Sequence, residues 1–183
     1  MKNIVLTGLK HAGKSTLGYM IAKTFDTLFY DLDTELERLA YKKTHKILTA
    51  RQIWKELGEA FFREMELEAA ASLAEKNSVV IATGGGIIDN RKALSILKEN
   101  GIIVYLEEEP AVLFDRIRKG GIPPFLSADN PWESFVALYN KRHSAYKEYA
   151  DIVLTLSGAS PEEAEEMLLQ KLKETEYGWE QLW

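Results

Sequence analysis

The run Gly8-Leu9-Lys10-His11-Ala12-Gly13-Lys14-Ser15, entered from the apolar, β-branched segment Asn3 to Thr7, constrains this chain more than any other stretch. It fills every fixed position of the phosphate-loop pattern G-x-x-x-x-G-K-S/T. It also lies between a strand-like segment and the amphipathic stretch Leu17 to Phe25, the context that pattern requires. Gly8 and Gly13 permit backbone angles closed to other residues, so successive N–H groups can curl around a phosphate oxygen. Lys14 adds a cation for the β- and γ-phosphates and Ser15 offers a hydroxyl to magnesium. A helix beginning near Lys14 turns its positive end toward the anion. The loop is a nest for a nucleotide triphosphate, with His11, Ala12, Gly13, Lys14, Ser15 and Thr16 as the expected nucleotide-binding residues.

The remainder keeps the same strand-helix rhythm. Strands are expected at Leu28 to Tyr30, Val79 to Ala82, Ile102 to Leu106 and Ile152 to Thr155. Helices are expected at Thr34 to Ala40, within Thr49 to Lys76 with a break at Gly58, and at Asp89 to Asn100. Three more are expected at Pro110 to Arg118, at Trp132 to Tyr149, and from the Ser160-Pro161-Glu162 cap to about Glu174. Tyr41 to Leu48 reads as a polar connection. Such alternation predicts an α/β fold: three layers, α/β/α, around a parallel sheet of about five strands with right-handed crossovers. A length of 183 residues suits one such domain, expected over residues 1–175. The Gly- and Pro-rich segment 119–130 is the long loop expected to act as a lid, and 176–183 is a tail carrying two tryptophans.

Charge and composition exclude several classes. A formal charge of −5 without a basic block argues against a nucleic-acid or membrane-surface binder, so any anionic ligand must be met by local cations. The absence of cysteine excludes disulfides and thiol catalysis. No stretch is long and apolar enough to span a bilayer, and the expectation is a cytoplasmic monomer.

Four further stretches carry chemistry. Asp31 and Asp33, two apart on an extended chain, face one way, so one can serve magnesium and the other a substrate hydroxyl; the alternative is a pair of helix caps. Arg63, three residues before Glu66, is either part of a site or a solvated surface pair. Gly84-Gly85-Gly86 after a strand marks either a close backbone approach to a ligand or a tight turn. Arg142, in Asn140-Lys141-Arg142-His143, reads by itself as solvent-facing, and His11, His45 and His143 show no metal-site spacing.

Taken together these motifs resemble the shikimate kinase family, phosphate-loop enzymes of the nucleoside-monophosphate-kinase-like fold. The resemblance runs from Lys2 to about Leu169 and rests on Gly8 to Thr16, Asp31-Leu32-Asp33 with Glu37, and Ile53-Trp54. It continues through Gly58-Glu59, Phe62 to Glu66, Gly84 to Gly86, and Lys141-Arg142 ahead of Tyr146. The resemblance implies transfer of the γ-phosphoryl group of ATP, with Mg2+, to a hydroxyl of shikimate or a related hydroxy acid. Lys14 would then stabilise the transferring group, Ser15 and Asp31 would serve the metal, and Asp33 would orient the attacking hydroxyl. Arg63 and Arg142 would hold the substrate carboxylate, the Gly84 to Gly86 backbone would meet the ring, and Arg116 with Ser157 to Pro161 would border the adenine. One departure stands out: the family's lid arginine is replaced by proline in Pro123-Pro124-Phe125-Leu126. Three readings follow: Lys10, Arg118 or Lys119 supplies that charge; turnover is slow or directed to a related acceptor; or the chain binds nucleotide without efficient turnover.

Overall fold

The structure is a computed structural model, and it describes residues 2–123 and 126–175. Five strands, β1 (Asn3–Thr7), β2 (Phe29–Asp31), β3 (Val80–Ala82), β4 (Gly101–Glu107) and β5 (Ile152–Thr155), form one parallel sheet in the order β2-β3-β1-β4-β5. Among the described residues seven α-helices connect or follow them: α1 (Lys14–Thr24), α2 (Leu32–Thr44), α3 (Ala50–Ala74), α4 (Arg91–Glu99), α5 (Pro110–Lys119), α6 (Pro131–Tyr149) and α7 (Pro161–Lys173). The core explains the central strands. β1 and β3 are buried along their whole length and β4 almost so, which is why they read as continuous apolar runs rather than as alternating ones. Ile4, Leu6, Ile102, Ile103 and Val104 are fully enclosed, and truncating one such side chain to Ala would cost about 2–5 kcal/mol.

The chain leaves β1, crosses to β2 at one edge, returns through β3 and then passes to β4 on the other side of β1. Register aligns Leu6 with Ala82, Asp31 with Ala82, and Thr7 with Tyr105. The phosphate loop, the Asp31 turn, the triple glycine and the end of β4 therefore open at one end of the sheet, where ligands of such folds lie.

Local chemistry fixes the helix boundaries, and three of them depart from expectation. α2 begins at Leu32, because the Asp31 side chain accepts a hydrogen bond from the Asp33 N–H and caps it, so Asp33 lies on a helical first turn rather than on extended chain. The helix also runs on to Thr44, with Lys42 and Lys43 favourably placed in its last turn and His45 closing it in a left-handed conformation. Asp89 lies outside α4, in a short 3-10 turn, Ile87–Asp89; Asn90 takes the capping position, its side chain accepting from the Ala93 N–H. The break at Gly58 is present as a kink in α3 (φ 86°), and reciprocal caps at Thr49 with Gln52 and at Ser160 with Glu163 start α3 and α7.

Candidate active site

The phosphate loop closes on itself. Gly13 (φ 91°) and His11 (φ 66°) take left-handed angles that turn the loop over the start of α1. The Lys14 ammonium, 8% exposed, donates to the carbonyls of Gly8 (2.9 Å) and Leu9 (2.8 Å), so the cation is held along the inside of the loop. Burial lowers Lys14 to about 8, against the upward pull of Asp33 and Asp31. His11 is also held below its usual value, first by burial and then by Lys10 and Lys14.

The two aspartates stand in different surroundings. The Ser15 hydroxyl donates to Asp31 Oδ2 (2.9 Å) while Asp31 Oδ1 caps α2. Among the described residues no cluster of three or more His, Asp or Glu is arranged to hold a metal ion alone. One hydroxyl beside one carboxylate fits Mg2+, which keeps several waters and takes its other oxygens from substrate phosphates. Asp33 is raised to about 6, chiefly by burial and then by Asp31, with Lys14 opposing. At neutral pH it is mostly a carboxylate.

The triple glycine is where everything meets. A Cβ on Gly84 would stand 2.8 Å from Asp33 Oδ1, one on Gly85 would stand 2.7 Å from the Lys10 nitrogen, and one on Gly86 would stand 3.2 Å from Arg142 Nη2. Each glycine thus admits a different neighbour, the acidic residue, the phosphate loop and the second arginine, while the Ile87 N–H donates to the Gly84 carbonyl (3.3 Å), so the segment is a tight turn with close packing around it.

Arg63 and Arg142 both reach the backbone of that glycine run. Arg63 Nη1 donates to Glu66 Oε2 (2.8 Å) and to the Gly86 carbonyl (3.2 Å), with its guanidinium 5.1 Å from the Trp54 ring centre and 5.5 Å from that of Phe62. Glu66 is only 1% exposed and also receives Asn90 Nδ2 (2.9 Å), so the solvated-pair reading of Arg63 and Glu66 is corrected. The solvent-facing reading of Arg142 is corrected too: Nη1 donates to the Gly85 carbonyl (3.2 Å), and Nε (3.1 Å) and Nη2 (2.6 Å) both donate to Asp89 Oδ2. Its helix is pinned by Tyr146, stacked on Tyr105 at 5.1 Å and donating to the Gly85 carbonyl (3.3 Å).

On the nucleotide side, Arg116 Nη1 donates to the His11 carbonyl (3.0 Å), and Nη2 lies 3.3 Å from Glu108 Oε2. Glu108 is buried at the end of β4, and its other oxygen accepts from the Gly158 N–H (3.1 Å). One carboxylate therefore ties Arg116 to the loop expected along the adenine edge. Arg118 and Lys119 both pair with the exposed Asp115 (3.5 and 2.7 Å). Pro124 and Phe125 of the lid, and the tail 176–183, lie outside the described residues.

Sequence reasoning missed Asp89, Glu108 and the part played by Trp54. Glu108 alone carried a usable signal, since it directly follows a buried strand at the ligand end of a parallel sheet.

The shikimate kinase family model matches residues 10–173. The chain belongs to the shikimate kinase family. It is 34% identical to the shikimate kinase of Burkholderia lata over 171 residues, covering 93% of this chain and 90% of that protein. It is 32% identical to that of Thermodesulfovibrio yellowstonii over 178 residues, covering 97% and 99%. The solved shikimate kinase of Acinetobacter baumannii in complex with shikimate superposes with a TM-score of 0.82 at 30% identity, covering 96% of each chain. Membership agrees with the five-stranded parallel sheet and with a phosphate loop at its carboxyl end. Among the described residues no helix is long and apolar enough to cross a membrane.

Proposed function

We propose that this chain is an ATP-dependent kinase that phosphorylates a hydroxyl of shikimate, yielding shikimate 3-phosphate and ADP, and that it acts as a monomer in the cytoplasm. Residues 1–175 form the working unit and 119–130 its lid. The observation that carries the reading is the convergence of Arg63 and Arg142 beside Gly85 and Gly86, one glycine away from Asp33 and next to the phosphate loop. Two guanidinium forks suit a carboxylate, and a flat glycine backbone suits the face of a polyol ring.

In this reading His11 to Thr16 cradle the phosphates, and Arg116 with the Ser157 to Pro161 loop borders the adenine. Lys14, released from the Gly8 and Leu9 carbonyls, meets the β- and γ-phosphates. Ser15 and Asp31 would hold Mg2+, which would supply positive charge against the phosphates. Arg63 and Arg142 fix the substrate carboxylate so that a ring hydroxyl points at Asp33. Asp33 accepts that hydroxyl's proton as the oxygen bonds to the γ-phosphorus and the bond to the ADP oxygen breaks. Most of the acceleration is positioning and charge neutralisation, and Asp33 forms no covalent intermediate.

Pro123 favours one second reading: a nucleotide-binding relative with little turnover, or with another hydroxy acid as acceptor. The test is ADP formation with Mg-ATP and a panel of hydroxy and sugar acids. Shikimate giving the highest kcat/KM supports the proposal. Tight ATP binding by calorimetry with no ADP formed on any acceptor contradicts it.

A further inference from the structure

The two arginines that face the acceptor pocket are already satisfied from within the chain. Glu66 neutralises Arg63 at 2.8 Å, and Asp89 neutralises Arg142 at 2.6 Å. Arg142 gives the whole Nε–Nη2 edge of its guanidinium, the edge that suits a carboxylate, to one oxygen, Asp89 Oδ2. Arg63 uses Nη1 for its short contacts; its Nε lies 3.8 Å from Glu59 Oε1 and its Nη2 lies 3.9 Å from that same Asp89 oxygen. Asp89 Oδ2 therefore stands where the donors of both arginines converge.

We propose that Asp89 is an internal competitor for the acceptor carboxylate: its own carboxylate closes the two-arginine clamp, and a substrate must displace it to bind. The inference rests on the reading that Arg63 and Arg142 hold the acceptor. Displacement has somewhere to go. Asp89 is 28% exposed, at the end of a short 3-10 turn, and it borders a cavity of about 490 Å3 lined also by Arg91, Lys92 and Lys141. Lys141 Nζ already lies 4.0 Å from the second oxygen, Asp89 Oδ1. Asp89 thus has two positions, on Arg142 when the clamp is empty and toward Lys141 when an acceptor carboxylate takes the Arg142 edge. A neutral ligand gains nothing from that exchange, so the device selects for acceptors whose carboxylate makes a better fork than Asp89 does, at the expense of affinity.

The test is steady-state kinetics of Asp89→Asn, with shikimate and with its methyl ester as acceptors. Removing the competing charge should lower the KM for shikimate about tenfold, roughly the net worth of one charge-assisted hydrogen bond. The KM for the ester should move less than twofold by the same estimate, because the ester has no charge to compete for the clamp. Lys141→Ala should raise the shikimate KM about twofold, a small effect because the ammonium is 77% exposed. An unchanged or higher shikimate KM in Asp89→Asn, or an equal shift for the ester, overturns the proposal and leaves Asp89 as a group that merely orients Arg142. Asp89→Ser gives the same comparison if the amide disturbs folding. Arg142→Ala separates the two layers. If it raises the shikimate KM while Asp89→Asn does not lower it, only the Asp89 inference fails. If it leaves the shikimate KM unchanged, the acceptor reading itself fails, and this inference with it.

Discussion

The phosphate end and the acceptor end of the crevice are built in opposite ways. At the phosphate end the parts are consecutive: Gly8 to Thr16 supply the loop, the cation and the hydroxyl, and Lys14 bonds to carbonyls only five and six residues away. At the acceptor end the parts come from across the chain. Asp33 sits on α2, Arg63 on α3, Gly84 to Gly86 after β3, Asp89 in a 3-10 turn and Arg142 on α6. The first is a motif that folds as one turn, while the second is an assembly that exists only once the sheet has brought five segments together. The difference also shows in charge. The loop keeps a buried cation, whereas the two arginines proposed to hold the acceptor are balanced by Glu66 and Asp89.

Mutations should separate the two ends. Lys14→Ala should produce the largest effect, a fall in kcat of about a thousandfold or more, because it removes a cation aimed at developing phosphate charge. A rate near wild type would mean the loop is not the nucleotide site. Arg142→Ala should leave the KM for ATP within about twofold and raise that for shikimate about a hundredfold, the split expected of a bidentate charged contact. Equal shifts in both constants would erase the distinction between the ends.

Asp33 joins the two ends, and pH exposes it. Its folded pKa of about 6 lies above that of an ordinary carboxylate, so kcat/KM should rise as pH climbs through about 6. Lys14, at about 8, sets the opposite limb, activity falling as it loses its proton. The stability sign is the reverse of the functional one. A carboxyl with a raised folded pKa contributes stability below its unfolded value, and that contribution is lost as pH rises through about 6. Asp33→Asn should therefore abolish turnover yet raise Tm at pH 7.5 by about 2–4 °C, with the gain vanishing near pH 4. A Tm that falls at pH 7.5 would show that the buried carboxylate is stabilising after all.

A smaller effect is expected in the lid. Pro123→Arg should raise kcat severalfold, since it adds a cation at the position where the family's lid carries one. No gain would assign that charge to Lys10 or another group already present.

The same contrast explains what the sequence made legible. The loop, the sheet and the Gly58 break follow from local rules: motif spacing, apolar runs and a glycine. Gly84 to Gly86 signalled a close approach without naming what approaches, because that depends on Asp33, Lys10 and Arg142 arriving from elsewhere. Asp89 was unreadable for the same reason. On sequence it looked like the first residue of a helix, and only the capping choice of Asn90 pushes it into the 3-10 turn where it meets Arg142. For Arg63 with Glu66 the sequence left a site and a solvated surface pair equally open, and only the packing of Glu66 against Asn90 decides against the solvated pair.

A crystal structure with ADP, Mg2+ and shikimate bound is the most direct test of the central claim. The account predicts the shikimate carboxylate on Arg63 and Arg142, Asp89 turned toward Lys141, and a ring hydroxyl within hydrogen-bond distance of Asp33. Shikimate bound with its carboxylate away from both arginines would contradict it.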